Sequence, residues 1–313
     1  MKYRISAFSI WEYGQRKDAE GNPHQEDNMF PAHGQLTDND RLFIVCDGMG
    51  GHESGEVASS TVCETMAKTI VEQTADADFT DEVLKDAVEK ALDALDSQDT
   101  GAAKKMGTTM TLLQLHQQGA TIAHIGDSRV YHIRPGKDAD ATRILHVTKD
   151  HSLLNSLIDA GELTEEEIAG FKQKNVITRA MLPHMDYRAR ADIYHTADIQ
   201  PGDYFYLCTD GMLENTTNDN LRFIFSNAIP VEEKEKTLKK VTHRNRDNHS
   251  AIVVHILEVE GNRPATVACL EKKAPLRNAV KKQANLSIPP YMIAVGVAIA
   301  ITIISLLVVF CCR

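Results

Sequence analysis

A chain of 313 residues with 34 basic against 44 acidic side chains can bury a substantial core, and its formal charge of −10 is the wrong sign for a general nucleic-acid binder, whose footprint is basic. An apolar fraction of 42% excludes disorder as the default state. Six cysteines form no C-x-x-C pair, and Cys46, Cys63 and Cys208 sit in apolar runs, which fits buried thiols in a reducing compartment.

The N-terminal "MKYRISAFSIWEYG" is broken by Lys2, Arg4 and Glu12 and holds no secretory h-region. "RLFIVC" predicts a strand running into Asp47, followed by Gly48, Gly50 and Gly51. His52 in "HESGE" lacks the second histidine of a zinc-binding helix. Two helices come next: Ala58, Val62, Met66 and Ile70 mark the first, while Leu84, Ala87, Val88, Ala91, Leu92 and Leu95 give the second one apolar face, with Thr80 as its N-cap. "TTMTLLQL", "ATIAHIG" and "RVYHI" read as strands, and Gly126-Asp127-Ser128 predicts a hairpin between the last two. Residues 151–176 form a charged helical insertion with a break at Gly161 and a new cap at Thr164. "YFYLCT" runs into Asp210, and Asp247 stands just before the strand "SAIVVHIL".

Residues 259–290 read as a basic, polar linker, and 291–310 carry no charge over a length that spans a bilayer as a helix. Arg263, Lys272, Lys273, Arg277, Lys281 and Lys282 precede that run, whereas only Arg313 follows it. The positive-inside rule therefore predicts a single-pass C-terminal anchor with the large N-terminal part in the cytoplasm.

If the strands bearing Asp47, Asp210 and Asp247 are neighbours, three carboxylates converge at one sheet edge, where they need a neutralising cation. Oxygen ligands without a Cys or His pair select Mg²⁺ or Mn²⁺. The bare glycines after Asp47 let a substrate oxyanion come close. A Walker loop is excluded because no lysine occurs between Arg41 and Lys68, and a dinucleotide fingerprint because Glu53 stands where glycine is required.

"HQEDN", "VCDGMGGHESGEVAS", "GTTMTLLQL", "IAHIGDSRVY", "TKDHSL", "VITRAML", "LCTDGMLEN" and "RDNHSAIVV", in this order over residues 3–258, resemble the motifs of the type 2C metal-dependent serine/threonine protein phosphatases, in their bacterial form. The resemblance implies an α+β fold: a central antiparallel β-sandwich flanked by helix pairs, with two metals at one end. It makes Asp47 the bridge between two ions, gives one of them the Gly48 carbonyl, and assigns the other to Asp210 and Asp247. Glu26 would act through water, Asp27 and Asn248 would support the ligands, and Asp127, with Glu214, would serve a third ion. The implied chemistry is in-line attack on phosphorus by a metal-activated water, without a phosphoenzyme.

Two positions depart from the family pattern. Asn22 replaces an arginine that clamps the substrate phosphate, leaving Arg16 as the candidate for that role. Met49 replaces a histidine of many eukaryotic relatives, and a thioether has no proton to give a leaving group. The expectation is an Mg²⁺/Mn²⁺-dependent phosphatase domain over residues 1–258, acting on phosphoserine and phosphothreonine in proteins at the cytoplasmic face of a membrane, opposed by a serine/threonine kinase. The alternatives are a pseudophosphatase that binds phosphoproteins, or another two-metal phosphoester hydrolase; nucleic acid is not an expected partner.

Overall fold

The computed structural model describes residues 1–50, 53–99, 106–163, 167, 168, 171, 173 and 176–261. Strand-forming residues assemble two antiparallel sheets. One has the order β1 (Lys2–Glu12), β11 (His249–Glu260), β10 (Tyr204–Cys208), β7 (Arg129–Arg134), β8 (Arg143–Val147). The other runs β2 (Asp27–Phe30), β3 (Leu42–Met49), β5 (Met110–His116), β6 (Gly119–Ile125), β9 (Asp192–Thr196), with β4 (Gly107–Thr108) paired to the end of β3.

The period-2 alternation of strand side chains explains why "LFIVC" is apolar throughout: both of its faces are covered. Phe43 and Val45 point inward to meet Phe205, Leu207, Ile252 and Val254 of the facing sheet. Ile44 and Cys46 point outward to α1 (Glu53–Gln73) and α2 (Asp81–Gln98). The predicted stripes of both helices form that contact, and Thr80 caps α2 by accepting the Val83 N–H. Leu84, Leu92 and Leu95 are removed from solvent, each contributing about 1.5–3 kcal/mol. Outside the other sheet lie α4 (Asn218–Phe225) and α5 (Val231–Thr242), whose Leu221, Ile224, Phe225 and Leu238 pack on Tyr131, Tyr206 and Val253. Lys234 ties these helices together, its buried Nζ donating to the carbonyls of Ile224, Ser226 and Ile229 at 2.6–2.9 Å. The architecture is thus the expected helix–sheet–sheet–helix sandwich.

Three expectations are corrected. Gly126-Asp127-Ser128 is not a hairpin turn: β6 pairs with β5 and β9, while β7 pairs with β10 and β8, so the turn carries the chain from one sheet to the other. Asp47 does not share a sheet with the strands beside Asp210 and Asp247, so the three carboxylates meet between sheets and not along one edge. The break expected at Gly161 is present: α3 (Leu153–Asp159), capped by Ser152, stops just before this glycine, whose φ of 70° ends the helix, while the expected cap at Thr164 lies outside the described residues. The stems of the insertion pair through Leu153 N–H to Val176 O and Thr178 N–H to His151 O, both 2.8 Å. The strand β11 continues to Glu260, past the predicted start of the linker. Among the described residues no helix is long and apolar enough to cross a membrane; 291–310 lies outside them.

Candidate metal centre

Five aspartates come from five segments. Asp27 opens β2, Asp47 lies near the end of β3, and Asp127 sits in the crossing between β6 and β7. Asp210 follows β10 at the start of a 3-10 turn, and Asp247 precedes β11. Asp27 and Asp47 are paired across β2 and β3. Bonds between the sheets draw the other segments in: Thr209 Oγ1 donates to Asp27 Oδ2 at 3.0 Å, and the Glu26 N–H donates to Asn248 Oδ1 at 2.9 Å. The Asp47 and Asp210 carboxyls are close enough to share a hydrogen bond.

Electrostatics shows the consequence of this convergence. Burial, then the charges of Asp27, Asp210 and Asp127, push the Asp47 carboxyl well above the usual carboxylate range. Burial, with Asp210 and Asp247 nearby, raises Asp27 to about 8. Burial, with Asp210 and Asp150, raises Asp127 to about 7. Asp210 is raised as well, chiefly by burial. Asp47 nonetheless keeps partial contact with solvent, as a group at the mouth of a site requires. The buried Asp27 Oδ1 and Asp127 Oδ1 have no hydrogen-bond partner among the described residues. Carboxylate oxygens that repel one another and lack donors are a donor set for a hard divalent cation.

The surrounding backbone is packed too tightly for side chains. A Cβ on Gly48 would lie 2.1 Å from Gly55 O and 2.5 Å from Glu26 O. One on Gly211 would lie 1.9 Å from Asn248 O. Gly48 N–H donates to Glu26 O at 3.1 Å, so the residue after Asp47 is fixed to the strand entering the site. Glu26 is buried beside this contact, its backbone oxygen also accepting from Ser59 Oγ of α1. Asn248 is the junction, with Nδ2 donating to Tyr13 O and His24 O at 2.9 and 2.8 Å.

Arg16 lies at the rim with its side chain 49% exposed. It donates from Nε and Nη2 to the two Asp247 oxygens at 2.6 and 3.1 Å, and its Nη1 is 3.9 Å from Glu26 Oε2. Met49 ends β3 opposite Gly107, where an added Cβ would come within 3.4 Å of its Cγ and 2.4 Å of Leu182 Cδ2.

Sequence reasoning overlooked the residues that aim the aspartates. Thr109 Oγ1 accepts the Asp47 N–H, and Thr108 Oγ1 donates to Asp47 O. The doubled threonine of "GTT" and the threonine before Asp210 were the available signals. Glu214 also has a part that was not expected: its oxygens accept the N–H groups of Arg246 and Asp247 at 2.8 and 3.2 Å, which clamps the loop that presents Asp247.

A second cluster, His124, His151 and Asp192, brings one donor atom from each residue within 4.8 Å of the others. Its donors are already used. His124 Nε2 lies 2.8 Å from Lys149 O, which can only accept, and His151 Nδ1 accepts the Gly126 N–H. Arg179 neutralises Asp192 at 2.6 Å, and the two imidazoles stack with centroids 4.5 Å apart. This cluster staples the stems of the insertion to β6 and β9.

Comparison with known proteins identifies the family and the fold. The family model described as protein phosphatase 2C matches residues 14–244. A protein phosphatase 2C-type protein of Streptococcus pyogenes is 30% identical over 231 residues, covering 68% of this chain and 85% of its own. The serine/threonine phosphatase PstP/Ppp of Mycobacterium tuberculosis superposes with a TM-score of 0.64 at 25% identity, over 82% of this chain and all of its own. The PstP catalytic domain in complex with two manganese ions gives 0.62, also at 25% identity and with the same coverage. The chain belongs to the protein phosphatase 2C family.

Proposed function

We propose that this protein hydrolyses phosphoserine and phosphothreonine in proteins, in a reaction that depends on Mg²⁺ or Mn²⁺. The observation that carries the reading is the set of five aspartates gathered from both sheets, four of which, Asp27, Asp47, Asp127 and Asp210, are raised by burial and by neighbouring carboxylates. The two manganese ions of the related PstP domain support the choice of metal. Asp47, the Gly48 carbonyl, Asp210 and Asp247 would hold two ions, with Glu26 acting through water and Asp127 serving a third. When bound, such ions supply positive charge to the phosphoryl oxygens and a water acidic enough to attack at neutral pH.

The chain's own residues do the positioning. Asn248 and Glu214 fix the Asp247 loop, and Thr108 and Thr109 fix Asp47. The Arg16 guanidinium, which grips a carboxylate through two parallel bonds, has the fork needed to grip a phosphoryl group in the same way. Met49 has no proton to donate, so the leaving alkoxide takes one from solvent.

With Mn²⁺ present, the protein is expected to release phosphate from a phosphothreonine peptide and from nitrophenyl phosphate, to leave single-stranded DNA intact, and to stop in excess chelator. Phosphopeptide binding without turnover would instead identify a pseudophosphatase. Phosphate release undiminished by chelator would remove the metal from the account.

The uncharged run 291–310, preceded by six basic residues, is read as a C-terminal membrane anchor that keeps the phosphatase domain on the cytoplasmic side, near membrane-associated substrates and an opposing kinase. Full-length protein should float with lipid vesicles and a chain ending at residue 261 should not. Equal behaviour of the two would end this part of the proposal.

A further inference from the structure

Arg16, Arg129, Arg134, Arg179 and Arg188 each bond a carboxylate at 2.6–2.8 Å. Arg244 and Arg246 differ. Both are exposed, and neither has an acidic partner among the described residues. With Glu214 and Asn215 they border a hollow of about 680 Å³ that begins one residue from Asp247.

The backbone beneath them is held firmly. Gln15 N–H donates to Arg246 O at 2.7 Å, and Asn245 N–H to Thr242 O at 2.8 Å. Asn245 accepts from Asn215 Nδ2 at 2.7 Å and donates to Gly211 O at 2.6 Å. Glu214, the one acid on the hollow's wall, has both oxygens engaged by the N–H groups of Arg246 and Asp247. Two guanidinium groups therefore project from a fixed loop with no carboxylate of their own, beside a cluster of aspartates and on a chain of net charge −10.

We propose that Arg244 and Arg246 are specificity-determining residues that bind an acidic side chain of the substrate, close in sequence to its phosphorylated residue. The inference rests on the phosphatase reading above and names the class of phosphoprotein that the same site prefers. On a chain of net charge −10 long-range repulsion opposes the approach of such a segment, so a local pair of arginines beside the site decides where it docks. With about 3.3–3.6 Å per extended residue and the reach of an arginine, the acid would stand about two to four residues from the phosphoresidue.

The test compares phosphothreonine peptides carrying Asp, or Asn in its place, at those flanking positions. Their kcat/KM ratio and the Kd ratio of their non-hydrolysable phosphonate analogues are both measured. The parent protein should prefer the acidic peptide by about tenfold, a preference that shrinks between low and high salt. In the Arg244→Ala/Arg246→Ala protein both ratios should fall towards one. Arg143→Ala, which removes one such charge from the edge strand β8, should keep them. A ratio near one in the parent, or a preference that survives the double substitution or disappears in Arg143→Ala, overturns the proposal. Absence of Mn²⁺-dependent turnover on either peptide would sink the phosphatase reading instead, and the Kd ratios would still decide the role of the arginines.

Discussion

Asp47→Asn and Asp210→Asn are each expected to lower Mn²⁺-dependent turnover by about 10³-fold or more, and in chelator to leave a protein that melts higher than the parent at pH 8. Removing a ligand forfeits several kcal/mol of charge stabilisation at the reacting phosphoryl group, and about 4 kcal/mol corresponds to 10³ in rate. The gain in stability has the same origin. Burial is the main cause of the raised carboxyls; an amide at 210 removes a like charge that adds to the rise of both Asp47 and Asp27, and an amide at 47 removes a buried, raised carboxyl itself.

The same shifts set the pH dependence without metal. Between about pH 6.5 and 8 the folded protein holds protons on Asp27 and Asp127, raised to about 8 and about 7, whereas the unfolded chain, with ordinary carboxyls, holds none there. Stability rises with pH only where the unfolded state binds more protons, so here it must fall as pH rises. Other groups overlap the two ends of this window. His116, His124, His146, His151 and His255, all pushed down by burial, oppose the trend near pH 6.5, where the unfolded chain still holds part of their protons, and Lys234, lowered to about 8 by burial, opposes it near pH 8, whereas Asp47 and Asp210, both raised by burial, add to the fall. Mn²⁺ should reverse the slope by binding the ionised cluster, adding about 2.7 kcal/mol at a hundred times its Kd. Melting curves at pH 6.5 and 8, with chelator or Mn²⁺, read all of this. A parent protein that gains stability with pH in chelator, or a variant that keeps turnover, would refute it.

Asp47, Asp210 and Asp247 could be picked out of the sequence because each adjoins an apolar run too long for a surface strand. The helices α1 and α2 were legible from one-face spacing, since their stripes pack on a single sheet. What stayed hidden was set by partners distant in sequence. Nothing near Asp127 says that β6 and β7 belong to different sheets; that follows from β9 and β10 pairing with them. The edge strands β8 and β9 bury so little that no alternation marks them, and charged Lys2 and Arg4 obscure β1, whose outward positions face water. The short helix α4 escaped notice although Thr217 and Asn220 form a capping box, because its apolar face is only two turns long. Glu214 looked like a ligand by proximity to Asp210, and only the fold reveals that backbone N–H groups take both its oxygens.

Gly48→Ala is expected to cost about 3–4 kcal/mol of stability and to abolish tight Mn²⁺ binding, although the new methyl first meets backbone and not a carboxylate. Its Cβ would lie 2.1 Å from Gly55 O and 2.5 Å from Glu26 O, and neither is the movable end of a side chain. Relief requires α1 to withdraw from β3, yet Ala58, Val62 and Met66 of that helix are locked in the core against Ile44 and Cys46. The strand would have to yield instead, taking Asp47 with it. Gly55→Ala provides the contrast: its Cβ would first meet Glu26 Oε1 at 2.5 Å and Glu26 Cδ at 2.9 Å, a side chain that can rotate, and comes no nearer than 3.1 Å to the Gly48 backbone carbon. That variant should fold with a smaller loss, about 1–2 kcal/mol, while losing the placement of Glu26. Urea midpoints rank the two substitutions, and calorimetric titration with Mn²⁺ reports the centre. Parental stability and parental metal affinity in Gly48→Ala would mean that the backbone approach between α1 and β3 does not hold the aspartates together.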